Sequence, residues 1–165
     1  MRILCLQRKS TRDLVLLMSA MMLVSLIASV AKGQATPRSR QRKLVKIYFY
    51  HEPGEYIDLA PVKRFVNGAS PARAAIKALL AGPTAAERHQ GFDSLASASE
   101  FAIGSLSISD GTARVNFVVS RTWAGFPGDT APIRFKAAVE LTLKQFPEVK
   151  RTIVTLNGDK DFAED

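Results

Sequence analysis

The sequence runs to 165 residues, with 23 lysines and arginines against 15 aspartates and glutamates, a formal charge of +8, and a single cysteine. That length suits one domain better than two, and the lone Cys5, near the N-terminus, excludes a disulfide framework, cysteine-ligated metal and cysteine catalysis elsewhere. The excess charge lies in residues 1–43; from Leu44 onward there are fourteen basic and fourteen acidic residues, a neutral portion that gives no sign of the basic face of a nucleic-acid binder, so no nucleic-acid partner is expected.

Residues 1–35 read as a secretory signal rather than as part of a fold. Arg2, Arg8, Lys9 and Arg12 form a basic start, Leu14 to Val30 is an almost unbroken apolar run, and Ser29-Val30-Ala31 and Gly33-Gln34-Ala35 both suit cleavage. The rival reading is an uncleaved anchor, although seventeen residues, 14 to 30 inclusive, is the bottom of the spanning range. Membrane contact is expected only through this segment, were it to stay attached. Cys5 precedes the apolar run and so is not placed to carry a lipid after cleavage. The expected destination is therefore periplasmic or extracellular. Residues 36–43 (TPRSRQRK) are polar, basic and aperiodic, a linker.

The folded domain is expected over residues 44–160. Leu44 to Tyr50 alternates with Val45, Ile47 and Phe49 on one face, a strand. Pro53-Gly54 makes a turn, and Leu59 to Val66 is a second strand that Pro61, lacking an N–H, confines to a sheet edge. Residues 70–80 form a helix: Ser70 caps it, Pro71 suits its first position, and Ala72, Ala75, Ile76, Leu79 and Leu80 make one apolar stripe. Gly82 supplies a left-handed stop and Pro83 prevents continuation. Thr84-Ala85-Ala86-Glu87 is then a capping box that opens a short helix, which Gly91 ends. The stretch 79–92 is thus a corner, and Gly82, Pro83, Thr84, Glu87 and Gly91 are structural residues of it. Farther on, Asp110-Gly111 centres a two-residue hairpin. Its register faces Ile108 with Ala113, Leu106 with Val115 and Gly104 with Phe117, while Ser107 meets Arg114 and Ser105 meets Asn116 on the polar side. The hydrophobic pattern agrees with the turn on both strands. A Gly/Pro loop at 121–130, a helix over 133–145 and a strand over 150–156 complete the chain, with residues 161–165 as an acidic, frayed tail. The order ββαββαβ implies a two-layer α+β domain, a mainly antiparallel sheet with two main helices on one face.

Four groups of residues are candidates for chemistry. Gly68-Ala69-Ser70-Pro71-Ala72 approximates a nucleophile elbow, but the oxyanion hole of that motif needs the N–H after the serine, and Pro71 has none. His51, Glu52, Glu55 and Asp58 cluster in sequence without the helical spacing of a zinc motif, and His89 is the only other histidine, so no metal or other cofactor is expected. Glu87, Asp93 and Glu100 could supply the acid pair of a glycosidase; a cell-wall glycan hydrolase using these corner carboxylates is the alternative function. Trp123 and Phe126 are the largest apolar groups outside periodic segments, and such residues anchor interfaces or stack on sugar rings, unless they fold back onto the core edge. With His89 and Glu87 they are the candidate contacts for a ligand or partner.

In order along the chain, KIYFY at 46–50, LAPVKRFV at 59–66, AAIKALLAGPTAAERHQGF at 74–92, SLSISDGTARVNF at 105–117 and LTLKQFPEVKRTIVTLNG at 141–158 resemble the GerMN domain family, named for bacterial sporulation and germination proteins. The most specific part is Leu79 to Glu87, which is similar to that family's LL-x-GPT-x-x-E core; the segment 94–102 (SLASASEFA) departs from it. The resemblance implies an exported, non-catalytic bacterial envelope module that binds an envelope protein or peptidoglycan-type ligand. The family has no agreed catalytic residues to carry over.

Overall fold

The computed structural model describes residues 42–51 and 58–164. The expected signal, most of the linker and the Pro53-Gly54 turn lie outside the described residues, as do Glu52, Glu55 and the side chain of Asp58. The chain from Arg40 onward is one compact unit.

Among the described residues six strands and three helices follow in the order β1 (Arg42–His51), β2 (Asp58–Asn67), α1 (Pro71–Leu80), α2 (Ala85–His89), β3 (Phe92–Asp93), β4 (Phe101–Ser109), β5 (Thr112–Val119), α3 (Thr130–Lys144) and β6 (Arg151–Leu156). The α+β class and the order of the main elements are as the sequence implies. The strands make two three-stranded sheets, β2-β1-β3 and β4-β5-β6, with β5 and β6 parallel. The parallel pair follows from α3, which crosses over between them, as a parallel connection requires. Pro61 lies on β2 at a sheet edge, where its missing N–H leaves no ladder bond unmade.

β1 begins at Arg42, within the stretch read as linker, because it pairs with the whole of β2 from Arg42↔Asn67 to His51↔Asp58. Its other edge has a neighbouring strand only at Tyr50 and His51, which pair with β3. Side chains of α3 and its C-cap serve Lys46 and Tyr48. The Gln145 amide accepts from Lys46 N at 2.7 Å and donates to Lys46 O at 2.7 Å, as a strand would, and Thr142 Oγ1 accepts from Tyr48 N at 3.2 Å. Thr142 is fully buried, so this bond also satisfies a hydroxyl that would otherwise be orphaned.

The hairpin β4–β5 has the expected register from Ser109↔Thr112 to Ser105↔Asn116, and Asp110 and Gly111 both have positive φ, as the turn requires. The expected Gly104–Phe117 pairing is overturned. A bulge falls at Gly104, and Ile103 faces Phe117 instead. The extra residue shifts the alternation from even to odd positions, which turns Ile103 and the buried Phe101 toward the core alongside Leu106 and Ile108. The residue at the bulge must be small: a Cβ on Gly104 would lie 3.1 Å from Val118 Cγ1 and 3.2 Å from Asn116 Nδ2.

One core joins both sheets and the long helices. Ile47 and Phe49 of β1, Ile76 of α1, Phe117 of β5, Leu143 of α3 and Val154 of β6 are among its buried members. The buried core members span residues 45–156, so the unit from Arg40 onward holds the apolar contacts it needs to fold. The tail is not frayed where it was expected to be. Phe162 packs on Phe126 and Phe135, with ring centroids 6.3 and 6.5 Å apart, and Glu164 pairs with Lys136 at 3.4 Å. One aromatic among acids is enough to hold the segment on the domain.

Candidate functional site

The corner that follows α1 is built as its sequence implies. Ser70 Oγ caps α1 by accepting from Arg73 N at 3.4 Å, the role its place in the sequence implies. α1 ends at Leu80, and Gly82 takes φ +73°, a conformation open to glycine at no steric cost. Pro83 is buried, and Thr84 is extended and caps α2, with Oγ1 accepting from Glu87 N at 3.3 Å. The Glu87 carboxylate accepts in return from Thr84 N at 2.6 Å, closing the capping box. Gly91, at φ +87°, ends the turn.

A residue that sequence reasoning passed over holds this corner in place. Arg64 projects from β2 and donates to both Glu87 oxygens, to Oε1 from Nε at 3.2 Å and to Oε2 from Nη2. The same guanidinium donates to the carbonyls of Ala78 at 3.3 Å and Gly82 at 3.0 Å, and its plane lies 5.0 Å from the centre of the Phe49 ring. One planar fork thereby satisfies a late carbonyl of α1 and the carbonyl of Gly82 just past its end, pairs the first-turn acid of α2 and covers a core aromatic. The two side chains are 18% and 16% exposed, so the pair is largely shielded from water. Burial alone would push the Glu87 pKa up. The hydrogen bonds from Arg64 and Thr84 and the Arg64 charge more than offset it, and the pKa lies below the ordinary glutamate value.

This engagement bears directly on the hydrolase reading. A general acid needs a raised pKa and a proton to give, whereas Glu87 is held ionised with both oxygens occupied. Asp93 Oδ1 accepts from Ser94 N at 2.7 Å and Glu100 Oε2 from Ser97 Oγ at 3.0 Å, both local turn contacts. Both Glu87 oxygens are thus hydrogen-bonded within the corner, and the side chain keeps 16% exposure. His89 is exposed at the end of α2. His51 lies against the end of this corner, its ring 4.4 Å from that of Phe92 and Nε2 3.0 Å from Gln90 O, the residue after His89. Among the described residues no group of three or more His, Cys, Asp or Glu side chains is placed to hold a metal ion.

Trp123 and Phe126 take the folded-back arrangement that was the alternative to free exposure. Both are half-buried against the core. Their rings meet edge-on at 5.1 Å; Phe101 lies 5.3 Å from Trp123 and 5.8 Å from Phe126. Phe126 also touches Phe135 at 5.6 Å. The loop is pinned at its root, where Ser120 N donates to Glu100 O and Trp123 N to Ser120 O. Phe126 is therefore an anchor, and Trp123 lies over the rim of the aromatic cluster with part of its surface open.

A family model described as Germane, sporulation and spore germination, matches residues 46–161. The chain belongs to the Germane family. Two solved Germane-type structures carry the same fold. One is the tandem GerMN domains of the sporulation protein GerM from Bacillus subtilis, at TM-score 0.56 and 20% identity, covering 72% of this chain and 40% of that one. The other is the first GerMN domain of the same protein, at TM-score 0.51 and 20% identity, covering 72% of this chain and 85% of that one. The present chain thus spans well under half the length of the tandem structure. No match is found among curated proteins. The matched range takes in the corner, the hairpin, the aromatic loop and β6.

Proposed function

We propose that this Germane domain is an exported, non-catalytic envelope module that binds a peptidoglycan-type ligand, with Trp123 as a contact. The observation that carries the reading is the state of Glu87. The best-placed acid of the corner is consumed by Arg64 and by the cap of α2, so Glu87 has a structural task in place of a free carboxyl. Trp123 supports the binding half of the reading, because a half-open indole on a rigid aromatic bed suits stacking on a sugar ring. The basic, apolar start of the sequence supports export.

Co-sedimentation of the chain with purified peptidoglycan tests this. Retention in the pellet that falls at least about tenfold in Trp123→Ala, with folding intact, is the expected result; a loss of that size is common for an interface aromatic. Equal retention of the two proteins, or none of either, would remove Trp123 and this ligand from the proposal.

A further inference from the structure

Although the domain from Leu44 onward is neutral in total, its charges are segregated. Two clefts, of about 440 and 400 Å³, share Lys144 as a common wall. The first is lined by Lys46 and Lys63, the second by Arg114, Lys150 and Arg151. Against these six cations stands one carboxylate, Glu140, which pairs with Lys144 at 3.0 Å. The other five have no carboxylate partner among the described residues, and all five are exposed. Totals therefore do not describe this part of the surface: the residues that line the two clefts carry a net +5.

Two further observations bear on what the face meets. Lys46 and Lys63 are direct partners in the β1–β2 ladder. Because Lys46 turns its N–H and C=O to Gln145, the two lysines form a non-hydrogen-bonded pair, the arrangement that brings side chains closest. Like charges so placed repel and weaken the sheet, a defect that an anion lying between them would relieve. Leu44, Leu141 and Ile153, respectively 51%, 38% and 42% exposed, line the same two clefts. Cations interleaved with exposed aliphatic side chains suit a surface that is anionic outside and apolar just beneath.

We infer that this face docks on an anionic lipid bilayer, with the lysines and arginines among the headgroups and Leu44, Leu141 and Ile153 reaching the acyl boundary. Charge complementarity favours it, since basic residues near an anionic leaflet attract it one by one, and apolar side chains on the same face add binding that salt does not screen. The placement of the chain favours it as well. β1 starts at this face with the basic residues Arg42 and Lys43, shortly after Arg38 and Arg40, and the apolar run ends at Val30, twelve residues before Arg42. Twelve residues reach at most roughly 40 Å, so a retained apolar segment would hold the domain at the bilayer.

The test is flotation of the chain from Thr36 onward with phosphatidylglycerol-containing vesicles and with pure phosphatidylcholine vesicles. Co-flotation with the anionic vesicles alone is expected. Lys63→Glu should weaken it by about tenfold or more, on the scale of attraction per charge at an anionic surface, while raising the melting temperature, because the substitution turns a repelling cross-strand pair into an attracting one. Opposite movements of binding and stability cannot come from misfolding. Leu141→Ser should leave a residual binding that high salt abolishes, whereas the parent retains some. Lys77→Glu, the same charge change on α1 and outside both clefts, should alter binding by no more than about twofold, given that exposed charges beyond a Debye length are screened. Three results would overturn the inference: equal flotation with both vesicle types, equal loss in Lys63→Glu and Lys77→Glu, or equally tight, Lys63-dependent binding of soluble inorganic polyphosphate, which would make the face a polyanion site.

Discussion

Replacing Arg64 by Met tests the corner most sharply. Methionine keeps much of the stem that covers Phe49 and removes the guanidinium, so the change isolates polar loss from packing loss. The Glu87 carboxylate, 16% exposed, would keep its bond from Thr84 N but lose two charge-assisted bonds, and the carbonyls of Ala78 and Gly82 would lose their donor. Hydrogen bonds to charged groups contribute about 1.5–3 kcal/mol, and breaking a fully buried pair costs about 3–5. A pair that still has some access to water should fall lower, at about 2–4 kcal/mol. For a domain of this size that is a drop of roughly 8–15 °C in melting temperature. Thermal unfolding by circular dichroism of Arg64→Met, Glu87→Gln and the double variant forms a cycle. The double variant should be more stable than the sum of the single losses predicts, by about 1–2 kcal/mol. A melting temperature for Arg64→Met within about 3 °C of the parent, or additivity within about 0.3 kcal/mol, would refute the view that this fork holds the corner.

The same pair sets a pH dependence. The folded Glu87 pKa is lowered, so its contribution is present in full above the ordinary glutamate value near about 4.3 and fades as pH falls through the folded value; the stability gap between parent and Glu87→Gln, followed by denaturant titration, should be constant at neutral pH and close below about pH 4. Gly82→Val should destabilise by about 1–2 kcal/mol or more through backbone conformation alone, because φ is +73° and the nearest atom to a new Cβ is Ser94 Cβ at 3.7 Å, an ordinary contact; Gly82→Asn should recover part of the loss, and an unchanged melting temperature for the valine variant would contradict the left-handed stop. Phe162→Ala should cost about 1–2 kcal/mol, the scale of a partly buried aromatic with two ring partners; no change would return the segment from residue 161 onward to a frayed tail.

Local grammar was legible in the sequence where the cause lies within a few residues. The Ser70 cap, the Gly82 stop, the Thr84–Glu87 box and the Asp110-Gly111 turn each need only neighbours to be satisfied, and each is in place. Features whose cause lies across the fold were not. Arg64 reads as one more charge on an edge strand, since its partners sit 14 to 23 residues away. The Gly104 bulge was hidden because glycine is equally acceptable in a regular register; the signal that could have found it was Phe101 and Ile103, apolar at odd positions, followed by Leu106 and Ile108 at even ones. Trp123 and Phe126 could not be placed without Phe101, Phe135 and Phe162, which the fold gathers from three separate segments. Charge totals concealed the basic face, since a sum does not record which side of the sheet a residue occupies.

The most direct test of the central claim, that the corner shapes the backbone and performs no reaction, is the release of soluble fragments from purified peptidoglycan incubated with the chain. No release above buffer is expected from either the parent or Glu87→Gln. Release by the parent that disappears in Glu87→Gln, at an unchanged fold, would contradict it.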